Sequence, residues 1–172
     1  TSTADKYNEP GKFTAFIGYE WTSMPKVNNL YRCVIFKDDA SYANQIIPFS
    51  AFDSENPEDL WAFLQDYEDK TGGNVMSIAH NGNVSNGTMF MDVDYGGKPL
   101  TKAYAETRMK WEPLYEVTQI KGDGETHPFL SPNDEFADFE TWDWGNLDNT
   151  IAKKDEQLKY EYARSALKLG LQ

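Results

Sequence analysis

Asn56-Pro57-Glu58-Asp59 is the strongest local instruction in this chain. Asn56 suits a helix cap, Pro57 suits the first helical position, and the two acids favour the positive end of the helix dipole. Leu60, Trp61, Leu64 and Tyr67 then recur at helical spacing, and Gly72-Gly73 supplies a left-handed stop, which predicts a helix over about 57 to 71. Directly after it, Val75-Met76-Ser77-Ile78-Ala79 is a short apolar run closed by His80-Asn81-Gly82-Asn83, the pattern of a buried strand that ends in a polar loop. Upstream, Phe13 to Glu20 and Tyr31 to Phe36 are rich in β-branched and aromatic residues and read as strands. Pro25, Asn28 and Asn29 mark a loop between them, so a hairpin is the simplest join. Strand, helix and strand in succession then predict a parallel crossover.

The rhythm continues downstream. Thr101 is placed to cap a helix running to Trp111, and Leu114 to Ile120 alternates as a strand. Ser131-Pro132-Asn133-Asp134 looks like another helix start, and Asp155 to Leu169 carries Leu158, Tyr162, Ala166 and Leu169 as the stripe of a last helix. Alternating elements predict one α/β layered domain over residues 1–172, with a mostly parallel sheet and one hairpin. In such folds ligands gather beyond the carboxyl ends of strands, here after Tyr19, Ala79 and Ile120. The Gly-, Asn- and Asp-rich stretch from Asn81 to Pro99 is long for a structureless connection, a length that favours a functional loop.

Charge narrows the partners. The formal net charge is −12, a field that repels nucleic-acid backbones and anionic membrane. No apolar run approaches the ~18 residues of a membrane-spanning helix. Neither nucleic acid nor membrane is therefore an expected partner. The single Cys33 excludes an internal disulfide and suits a periplasmic or a cytoplasmic setting equally. It sits mid-strand with no histidine close by in sequence, so it reads as a small hydrophobe.

Both histidines lie in polar, turn-like surroundings beyond predicted strands, and imidazole is the commonest metal ligand. Glu20 ends the first strand, Glu116 lies in the strand 114–120, and Glu125 precedes His127 by two residues. A shell of His80, His127 and Glu20, with Glu116 and Glu125 as weaker members, suits Zn, Mn or Fe better than Ca. Arg32, Arg108 and Lys121 stand near strand or loop ends where an anionic substrate could be held, and Asn81 follows His80 directly. Each residue has an ordinary alternative on spacing alone: a histidine satisfied in its turn, a solvated glutamate, a surface cation. Trp142-Asp143-Trp144 reads as packing at a helix end or as a sugar-binding or partner surface. No phosphate-cradling glycine loop, cysteine-rich zinc pattern or nucleophile elbow is present.

Four stretches resemble a large bacterial family of uncharacterised function: Phe16 to Ser23, Ile78 to Gly87, Tyr115 to Pro128, and Leu130 to Glu140. That family is related to the polymerase and histidinol phosphatase superfamily of metal-dependent hydrolases. The resemblance implies a distorted (β/α)7 barrel whose strand ends hold two or three divalent metals and a bridging hydroxide that attacks a phosphoester. By position, Glu20 resembles the strand-end glutamate ligand, His80 the ligand of an Ala-His motif, and His127 a later histidine ligand.

The chain departs from that pattern in two ways. The His-x-Asp-x-His strand that begins such barrels and the Asp-x-His motif that ends them are not among these residues, so the chain reads as the central segment of a larger barrel. Tyr31 and Cys33 also stand where His and Asn are expected. The resemblance implies a metal-dependent phosphoesterase acting on a small-molecule phosphoester. Two alternatives stay open: a non-catalytic acidic scaffold that binds a partner, and a truncated segment that forms homo-oligomers through open sheet edges.

Overall fold

Four strands lie side by side in the order β1 (Ile17–Trp21), β2 (Arg32–Phe36), β3 (Val75–Ala79) and β4 (Leu114–Tyr115). The computed structural model describes residues 1–172. A short helix, α1 (Ser2–Tyr7), precedes the sheet, and a second short helix, α2 (Ala40–Ala43), follows β2. Two longer helices, α3 (Pro57–Thr71) and α4 (Lys102–Trp111), are joined by contacts to each other and to β3. A separate two-stranded ribbon, β5 (Thr118–Gln119) and β6 (Gly122–Asp123), comes next, and α5 (Ala163–Gly170) ends the order. No helix is long and apolar enough to cross a membrane.

The expected parallel barrel is not what forms. β1 with β2 and β2 with β3 are antiparallel, and only β3 with β4 is parallel, so the sheet is mixed, mostly antiparallel and open. The hairpin join of β1 and β2 is present, but the crossover expected through α3 is not. Its failure has a physical cause in the leg from 37 to 56. By Glu55 this leg has returned to the end of the sheet where β2 begins, since the Ser23 hydroxyl beyond β1 donates to the Glu55 carbonyl at 2.8 Å. Helix α3 then carries the chain back, and β3 starts beside the end of β2, with Phe36 opposite Val75 and the Lys37 amide donating to Asn74 O at 3.0 Å. A helix preceded by a full-length return cannot make its flanking strands parallel. The one parallel connection runs instead through α4, with Ile78 opposite Leu114 and Ala79 opposite Tyr115.

Helix α3 obeys its sequence signals. Asn56 Oδ1 accepts from the Glu58 amide at 2.9 Å, Pro57 opens the helix, and Gly72 closes it at φ 72°. From its buried face, Leu60, Trp61, Leu64 and Tyr67 meet Ile17, Trp21, Val34, Phe36 and Val75 of the sheet and Trp111 of α4 in one core. Truncating Leu64, which is fully buried there, to alanine is expected to cost about 2–5 kcal/mol through lost burial and the void left behind. Chemical denaturation reads that value.

Three further expectations fail, the first two for lack of a face to bury and the third because of what the chain buries. The strand 114–120 breaks at Glu116-Val117, because Val117 and Ile120 lie exposed and only Tyr115 packs inward. The helix start at Ser131 yields turns only; Phe136 and Phe139 are exposed, Ala137 alone is buried, and a helix without a packed face gains little in water. The last helix splits into a 3-10 turn (Asp155–Tyr160) and α5, where buried Glu161 and Tyr162 leave the helical path.

Glu161 is the anchor of that split. Its carboxylate accepts from Lys153 Nζ at 2.6 Å and from the Gly87 amide at 2.9 Å, while Lys153 also donates to Asn83 O at 2.7 Å. These bonds hold the 81–87 segment, every residue of which is buried. The first part of the stretch expected as a functional loop, 81–87, is thus part of the interior and begins immediately after His80, while 95–99 lies exposed.

Candidate metal centre

Alternation along paired strands decides which side chains share a face. Glu20 stands directly opposite Cys33, Cys33 stands opposite Ile78, and His80 lies two residues beyond Ile78. All three polar residues therefore project from the side of the sheet opposite Trp21, Val34 and Ser77, at the end where β1 and β3 finish and β2 begins. One ligand atom from each of Glu20, Cys33 and His80 lies within 4.8 Å of the others.

The individual contacts are close. His80 Nε2 is 3.8 Å from Glu20 Oε2, and Cys33 Sγ is 3.8 Å from His80 Nδ1. These contacts use different ring nitrogens; with one donor atom from each residue, the three atoms lie within 4.8 Å of one another, against the roughly 3.3–3.6 Å that metal bonds of about 2.0–2.3 Å at the tetrahedral angle require, so side-chain rotation brings this set onto one ion. The supporting groups are in place as well. Thr22 Oγ1 donates to Glu20 Oε1 at 3.0 Å, which leaves Glu20 Oε2 for a ligand, and Ile78 O lies 3.5 Å from His80 Nδ1, on the same side of the ring as Cys33 Sγ. Asn29 Nδ2 donates to the carbonyls of His80 and Asn81 at 2.8 and 3.1 Å, which fixes the backbone where the strand stops.

Electrostatics favours a cation here. Burial lowers the His80 pKa, against the pull of the Ile78 carbonyl and of Glu20 and Glu116, so the ring is neutral near pH 7, the form that binds metal. Burial also raises the Cys33 pKa, and the negative charges of Glu20 and Glu116 raise it further. The His80 ring meets Tyr31 edge-on with centroids 5.9 Å apart, and Lys121 Nζ lies 5.6 Å from the centre of that same Tyr31 ring. Lys121 sits at the tip of the β5–β6 ribbon, held by its carbonyl accepting from Asn83 Nδ2 at 2.9 Å. Asn81 adopts a left-handed φ of 54°, uncommon outside glycine, with its Oδ1 bonded to Gln119 Nε2 and its buried Nδ2 free of any partner.

Of the residues singled out from sequence, the structure gathers Glu20 and His80, with Glu116, Lys121 and Asn81 around them. It does not gather the others. His127 stands outside the group: Nε2 pairs with Asp143 at 2.7 Å, and Nδ1 accepts from the Phe129 amide at 3.1 Å. Glu125 is paired with Arg164 at 2.6 Å. Arg32 points to the opposite face, where it is buried against Glu112 at 2.8 Å, so its charge is spent inside the fold. Arg108 pairs with the same Glu112. A surface concavity of about 720 Å³ lies along 130–136 and Arg164 and includes none of the gathered residues. Cys33 is the member that sequence reasoning set aside. The signal was its pairing: a cysteine opposite a strand-end glutamate shares that glutamate's face.

Residues 1–172 match the sequence model of the family described as Protein of unknown function (DUF3604). The chain belongs to the DUF3604 family. No curated protein and no solved structure matches it significantly. In this DUF3604 chain the gathered site draws one residue each from β1 and β2 and one from just beyond β3, so it depends on the antiparallel pairing described above.

Proposed function

We propose that this DUF3604 protein is a metal-dependent hydrolase acting on a small-molecule phosphoester, in line with its resemblance to the polymerase and histidinol phosphatase superfamily. The observation that carries the reading is the meeting of Glu20 and His80, far apart in sequence, at 3.8 Å, with Glu116 near enough for its charge to act on the same imidazole. Glu20 and His80 hold a divalent ion of the Mn, Zn or Fe class. Such an ion, when bound, supplies Lewis acidity toward a phosphoryl oxygen and makes water a stronger acid. Lys121 holds the anionic substrate as a point charge beside Tyr31. Asn81 offers its unpartnered Nδ2 to a substrate oxygen, and Glu116 is the carboxylate that takes the proton from the attacking water.

The same geometry sets aside a thiol-nucleophile reading. Cys33 and His80 are close, but burial and two carboxylates push the thiol pKa up, against the formation of a nucleophilic thiolate.

The experiment is a screen of phosphomonoesters and phosphodiesters with Mn²⁺, Zn²⁺ or Fe²⁺ added. The expected result is metal-dependent release of phosphate or alcohol, lost on chelation. Lys121→Met is expected to raise KM about tenfold with kcat changed less than threefold, the loss of one charge-assisted contact to substrate. No hydrolysis with any of these ions would overturn the reading.

A further inference from the structure

We propose that Cys33 is itself a metal ligand, as a thiolate, and that the Glu20–Cys33–His80 group is therefore a three-residue site selective for a thiophilic ion of the zinc class over Mn²⁺ or Mg²⁺. This rests on the metal-dependent reading above and names the ion that the same site takes.

The argument starts from placement. A cysteine that merely fills the core belongs on the packed face, with Val34 and Phe36, which are buried in the main cluster. Cys33 lies on the other face and is half-buried. Its direct cross-strand partner is a carboxylate, and its sulfur lies 3.8 Å from an imidazole nitrogen. Its partner on the other side is Ile78, so the sulfur stands between one apolar neighbour and two polar ones. A sulfur, a nitrogen and an oxygen on one side of a sheet form a donor set of graded softness, and a thiolate shifts preference away from hard ions toward zinc and cobalt. Three protein ligands with a fourth position open is the ligand count of catalytic rather than structural zinc. Ligation exchanges the thiol proton, released to solvent, for a sulfur–metal bond, so net charge at the site changes by one proton lost and one divalent ion gained. The backbone supports the arrangement, since two of the three donors sit in strands whose register is fixed by ladder bonds and the third follows a strand end pinned by Asn29.

The test uses Co²⁺ as a spectroscopic stand-in for zinc on the whole chain, with wild type and Cys33→Ser compared. The expected result is an intense near-ultraviolet thiolate-to-cobalt charge-transfer band in wild type, absent in Cys33→Ser, while the weaker visible bands of bound cobalt persist in both. In competition dialysis, wild type is expected to prefer Zn²⁺ over Mn²⁺ by at least 100-fold, and Cys33→Ser to narrow that preference by at least tenfold. Thermal unfolding of both proteins checks that the variant is folded, and the wild-type band stands without it. Cobalt bound to wild type without the charge-transfer band overturns the inference about Cys33 and leaves the hydrolase reading standing. Absence of any cobalt or zinc binding also overturns that inference, and the hydrolase reading then stands or falls on the phosphoester screen with Mn²⁺ or Fe²⁺.

Discussion

Replacing Glu112 by alanine is expected to destabilise the fold by about 3–5 kcal/mol, because it strands buried cations without a counter-charge. Glu112 follows α4 directly, and its carboxylate accepts from Arg32 Nε at 2.8 Å, Trp61 Nε1 at 3.0 Å and Arg108 Nε at 3.1 Å. One side chain thus ties β2, α3 and α4 together. Arg32 and Glu112 expose only 1% and 3% of their side chains, so neither can turn to water if its partner is removed. Burial alone would raise the Glu112 pKa, but the two guanidinium groups outweigh it and hold the carboxyl at about 2, below its ordinary 4.5. The sign follows from linkage. A folded-state pKa below the unfolded one gives stability that is fully present above about pH 4.5 and is lost as pH falls toward 2. Urea unfolding across that window should show a steep decline in wild type and a shallower one in Glu112→Gln. A cost below about 1 kcal/mol for Glu112→Ala would show that the three elements do not depend on this carboxylate.

The second large effect is on metal affinity. His80→Ala is expected to weaken Zn²⁺ binding at least ~100-fold, since outer-shell changes alone cost about 10–100-fold and this removes a ligand outright. Glu20→Gln should fall in the same direction by a smaller factor, because the amide oxygen remains a donor without its charge. His127→Ala should leave zinc affinity within about threefold of wild type, as its ring is engaged by Asp143 and the Phe129 amide. Isothermal titration reads all three. Loss of affinity in His127→Ala with none in His80→Ala would move the site to the other histidine.

Local signals in the sequence were reliable where packing agreed with them. Asn56, Pro57 and Gly72 bound α3 at the residues that their chemistry favours, and Thr101 caps α4 by accepting from the Tyr104 amide at 3.1 Å. The direction of the strands was not legible, because it depends on the path of the leg 37–56, whose return is held by contacts distant in sequence such as Ser23 with Glu55 and Phe49 with Phe63. Glu20 and His80 were legible as strand-end polar groups. His127 looked equivalent to His80, yet it is paired with Asp143, sixteen positions away, and spacing carries no trace of that partner. Arg32 looked like a surface cation because nothing local announces Glu112, eighty positions downstream. Cys33 was read by its neighbours in sequence, when its neighbours across the sheet define its chemistry.

Anomalous scattering at the zinc edge, from crystals of the protein grown with Zn²⁺, tests the central claim most directly. The account predicts a peak about 2.0–2.3 Å from a ring nitrogen of His80, from a Glu20 carboxylate oxygen and from Cys33 Sγ. A peak between His127 and Asp143 with none at His80, or Glu20 and His80 turned away from each other, would contradict it.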